Sequence, residues 1–122
     1  MKAILDGDVD HLVDDMIALL YDGTFSAAHQ FIDDLPGVIN DRSTPLLGKT
    51  TSLGVFDANN ITVTTVPAST TDAVIIAMDT GSDATSPLTF FLELTSPFVL
   101  AAPADVSIVW NALGIYQLAA CP

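Results

Sequence analysis

Ala73-Val-Ile-Ile-Ala-Met78, then Asp79-Thr-Gly-Ser-Asp-Ala-Thr-Ser-Pro87, then Leu88-Thr-Phe-Phe-Leu-Glu-Leu94 is the stretch whose reading decides the fold. The first piece is an unbroken apolar run rich in β-branched residues. It is too short for a core helix and reads as a strand buried on both faces. The second piece is built from turn formers and reads as a loop. The third reads as the next strand. Upstream, Ile61-Thr-Val-Thr-Thr-Val66 alternates apolar with polar residues, as a half-buried strand does. Pro67 to Asp72 reads as a turn between the two.

The pattern extends outward in both directions. Met16-Ile-Ala-Leu-Leu-Tyr21 is a second apolar run, closed by Asp22-Gly23, and predicts another buried strand. Ser26 predicts the cap of a short helix through about Asp33, burying Ala28, Phe31 and Ile32 and ended by Leu35-Pro-Gly37. Residues 40–50 read as loop, punctuated by Asn40-Asp41 and Pro45. Thr51 to Val55 predicts a short strand, and Phe56-Asp-Ala-Asn-Asn60 a turn. Residues 95–104 hold two prolines and read as irregular or edge-like. Val106-Ser-Ile-Val-Trp110 predicts a strand with Val106, Ile108 and Trp110 on one face. Asn111-Ala-Leu-Gly114 then turns into a last strand, Ile115-Tyr-Gln-Leu118. In residues 1–13, Leu5, Val9, Leu12 and Val13 recur at helical spacing, but Gly7 and the alternating Asp6, Asp8 and Asp10 oppose a helix. This segment is expected to be a short helix, an irregular stretch or a contact arm. The fold class expected is mainly β: a compact antiparallel sandwich or barrel-like single domain over residues 1–122, with one or two short helices. No predicted helix is long enough for the crossovers of a parallel sheet.

Composition bounds the function. The 122 residues carry a net charge of −12, with Lys2, Arg42 and Lys49 as the cations. Fourteen of the fifteen acids are Asp, a turn residue, rather than Glu, a helix former. Nucleic-acid binding is disfavoured by phosphate repulsion, and so is binding to an anionic membrane surface. Charged residues make up 15% of the chain, against about 25% in typical globular proteins, and half of the chain is apolar. A domain this small has limited interior, so part of that apolar surface is expected to face a partner. No apolar run reaches transmembrane length, and the N-terminal run breaks too early for a signal peptide. Synthesis in the cytoplasm is the expectation. Cys121 has no partner for an internal disulfide. It is either a bystander thiol or the site of an intermolecular disulfide near a terminus.

Catalytic patterns are weak. Asp6, Asp8 and Asp10 resemble the opening of a calcium loop, but His11 and Ile17 stand where that loop needs Gly and Glu. His11, His29 and Cys121 are too few and too scattered to predict a zinc site. Asp14–Asp15 and Asp33–Asp34 are sequence neighbours, which a strand would point to opposite faces. Neither a nucleophile elbow nor a phosphate loop occurs. No catalytic residue, cofactor or metal ligand is predicted.

One ordered set of segments goes beyond composition. It comprises Asp14-Asp-Met-Ile-Ala-Leu-Leu-Tyr-Asp22, His29-Gln-Phe-Ile-Asp-Asp-Leu-Pro36, Leu47-Gly-Lys-Thr50, Gly54-Val-Phe-Asp-Ala58, Ile61-Thr-Val63 and Ala73-Val-Ile-Ile76. It continues with Asp79-Thr-Gly-Ser-Asp-Ala-Thr-Ser-Pro-Leu88 and Val106-Ser-Ile-Val-Trp110. In order and spacing, over roughly residues 3–118, these segments resemble a family of small virion structural proteins of tailed bacteriophages. The resemblance implies a virion component and carries no catalytic residues. The chain departs from the family at its shorter start and at the more apolar Pro97–Pro103 segment.

The function expected is therefore structural: a capsid decoration (cement) protein that binds the phage major capsid protein and self-associates as a dimer or trimer. Contact is expected through Phe98, Val99 and Leu100, within the apolar Phe98–Ala102 segment, or through Leu5 and Val9 in the N-terminal segment. A covered core loop is the competing reading of residues 98–102. A tail or head–tail connector component is the alternative location. A ligand-binding β module is the alternative class, and it would show exposed aromatics in a groove. An enzyme ranks last.

Overall fold

A computed structural model describes residues 14–26, 28–52, 55–110 and 116–117. Leu5, Val9, Cys121 and the Asp6–Asp10 repeat lie outside them. The described chain is mainly β, with nine strands and one short 3-10 turn. The strands are β1 (Met16–Asp22), β2 (Val38–Arg42), β3 (Thr50–Ser52), β4 (Val55–Asp57), β5 (Ile61–Val66), β6 (Ser69–Met78), β7 (Leu88–Leu100), β8 (Ala104–Ile108) and β9 (Tyr116–Gln117). Every strand pairing is antiparallel. They form a four-stranded sheet β2-β1-β6-β7, a three-stranded sheet β3-β4-β9 and a two-stranded sheet β5-β8. Among the described residues no sheet closes into a barrel.

The apolar runs occupy the centre, as their composition demands. β1 and β6 lie between β2 and β7, with Ile17 opposite Ala77 and Leu19 opposite Ile75. On one face Met16, Ala18, Leu20, Val74, Ile76 and Phe90 pack with Val63, Val66 and Ile108 from the β5–β8 pair. On the other, Ile17, Leu19, Tyr21, Ile75 and Ala77 pack beneath Phe25, Ile32 and Leu35 from the connection between β1 and β2. An unbroken run of Val, Ile and Leu is the sequence form of a strand covered on both faces.

β5 to β8 form one continuous ribbon. β6 runs against β7 from Ala77↔Leu88 out to Ser69↔Leu100, and β5 runs against β8 from Val66↔Ala104 to Ile61↔Ile108. Pro67-Ala68 on one arm and Ala101-Ala-Pro103 on the other bend the ribbon, so its outer half folds back over the sheet. Two bulges aid the bend. Residues 94–97 stand against Asp72 alone, and Thr64 and Thr65 stand against Asp105. Thr65 has φ 54°, and its N–H donates to the Asp105 carboxylate at 2.9 Å.

Several expectations need correction. Among the described residues no α-helix forms between Ser26 and Asp33. The turn Ile32–Asp34 is a single 3-10 element, and Ser26 Oγ accepts the Ala28 N–H. The expected loop at 40–50 begins as edge strand β2, which carries a bulge at Asn40. The expected turn at 67–72 is confined to Pro67-Ala68, because Ser69 already pairs with Leu100. The expected strand at 51–55 is two strands forming a hairpin. The edge-like reading of the stretch from 95 holds as far as 100, where β7 continues at the sheet's edge with a bulge at 94–97.

Candidate functional site

Among the described residues, several aspartates gather at one end of the central sheet. There the loop after β6 packs on the 3-10 turn: Ile32 N–H donates to Ser86 O at 3.1 Å and Asp33 N–H to Asp83 O at 3.3 Å. Asp79 N–H donates to Asp15 O at 2.8 Å, bringing in the residues before β1. Asp41, Asp79 and Asp83 thus lie around Arg42, and backbone bonds bring Asp15 and Asp33 to the same end. Arg42 grips Asp83 through both terminal nitrogens, at 2.9 and 3.2 Å. That bidentate bond holds the Asp83 carboxyl below its ordinary range and raises the guanidinium. Lys49 Nζ donates to the Asp14 carbonyl nearby. The Asp34 carboxyl is lowered by the N–H groups of Phe31 and Gln30, both at 3.0 Å from its Oδ2.

The bend of the ribbon lies at the other end. Residues 58–71 and 94–104 contain no Asp, Glu, Lys or Arg. Three carboxylates flank these stretches: exposed Glu93 opposite Ala73, Asp105, which accepts the Thr65 N–H, and Asp72, which accepts the Gly23 N–H at 3.4 Å. Here Phe98 is 46% and Val99 66% exposed, on the outer half of edge strand β7. Pro97, Ala101, Ala102 and Pro103 around them are exposed as well. Leu100 is half-buried and packs against the inner core, so the structure divides the three residues expected as partner contacts. Val38, Leu47 and Val109 are further exposed apolar side chains.

Of the residues considered for chemistry, His29 and Trp110 are engaged in the fold, while His11 and Cys121 lie outside the described residues. His29 Nδ1 accepts the Ser26 N–H at 3.1 Å, and its ring meets Phe25 edge-on at 5.7 Å. Among the described residues, no three His, Cys, Asp or Glu side chains are grouped to hold a metal ion. Trp110 is half-buried, and its indole N–H donates to Asn59 O at 3.0 Å. No described helix is long and apolar enough to cross a membrane. The gathering of aspartates around Arg42 was missed from sequence, because three separate loops build it. Comparison with protein-family models and with curated proteins gives no match.

Proposed function

We propose that this protein is a non-enzymatic structural component of a tailed-phage virion, a capsid decoration protein that sits on the outer head surface and stabilises it. The observation that carries the reading is the uneven surface of the described residues: several aspartates gather at one end, while residues 58–71 and 94–104 at the other carry no charged side chain and expose Phe98 and Val99. A decoration protein needs one surface to bury and one to keep the particle soluble. A sheet packed on both faces supplies stiffness between them. The resemblance of the ordered segments to small virion proteins supports the same reading.

The partners on this reading are the major capsid protein and further copies of the chain. The apolar N-terminal residues Leu5 and Val9 and the Phe98–Ala102 segment are the two surfaces for them. Quantitative mass spectrometry of purified virions tests the proposal. Copies near those of the major capsid protein are expected. A few copies per particle, or a count that follows the tail tube, would move the protein to the tail or connector. Absence from clean particles would overturn the virion reading and favour a ligand-binding β module.

A further inference from the structure

We draw no further inference here: the strongest candidate, the exposed outer half of edge strand β7 at Phe98 and Val99, carries nothing, because nothing in the structure shows what covers it.

Discussion

At the scale of single residues, Tyr21 shows how a core side chain also fixes a loop. Its ring is fully buried, yet its hydroxyl donates to Thr24 O at 2.8 Å and accepts the Gly37 N–H at 2.9 Å. One phenol oxygen thereby closes both ends of the connection that covers one face of the sheet. Tyr21→Phe leaves the packing intact but strands a partly buried donor and acceptor. It should cost about 1–3 kcal/mol in urea unfolding, with the m-value unchanged. Gly37→Ala should cost more. A Cβ there would sit 2.3 Å from the Asp22 carbonyl oxygen and 2.8 Å from Gly23 Cα, both backbone atoms that cannot swing aside. If Gly37→Ala proves milder than Tyr21→Phe, the two ends of the loop are not in the close contact described. Neither role was legible in the sequence. Tyr21 read as the end of an apolar run, and Leu35-Pro-Gly37 as a helix stop, because hydroxyl partners far along the chain leave no local signal.

At the scale of elements, legibility followed burial. β1 and β6 were readable because strands covered on both faces must be continuously apolar. β2, Val-Ile-Asn-Asp-Arg, was not, because an edge strand interrupted by a bulge carries no period. The helix expected from Ser26 failed for a tertiary reason. Residues 30–33 bond instead to the loop after β6, through Leu88 N–H to Gln30 O and Ile32 N–H to Ser86 O. Phe98 and Val99, expected as partner contacts from an apolar, proline-flanked segment, are exposed. That Leu100 turns inward depends on β7 continuing past Pro97, which the prolines argued against. The covering elements also set the acid response. Asp34 holds the N-terminus of the 3-10 turn, and Asp83 ties its loop to Arg42; both carboxyls are lowered in the folded state. A folded-state pKa below the unfolded one stabilises the fold above the unfolded value, about 3.9, and the contribution is lost as pH falls through the folded value. Asp34→Asn and Asp83→Asn should therefore destabilise the protein at neutral pH. They should also flatten its loss of stability on acidification below about pH 4. Urea unfolding at a series of pH values checks this, and an acid slope equal to wild type in both variants would falsify it.

At the scale of the whole molecule, the layers imply an order of opening. β1 and β6 are enclosed laterally by β2 and β7 and above and below by the folded-back ribbon and the β1–β2 connection. Their amides can reach solvent only when those covers leave together, so they should exchange with the free energy of global unfolding. The β5–β8 arm covers one face alone, and its outward residues Thr62, Thr64 and Ser107 are exposed. It can lift about the bend at Pro67-Ala68 and Ala101–Pro103 without disturbing the central pairing, so its amides should exchange faster. The β3–β4–β9 sheet pairs with none of the other described strands, and its strands are two or three residues long. Two short strands are marginal by themselves, so β3 and β4 should open first. Native-state hydrogen exchange read residue by residue should place Ile17–Leu20 and Val74–Ala77 slowest, Val63 and Val106 next, and Thr50–Ser52 fastest. Protection at Thr50–Ser52 equal to that of β1 would mean that the small sheet belongs to the same cooperative unit. Stability would then come from contacts between the sheets rather than from the doubly covered centre.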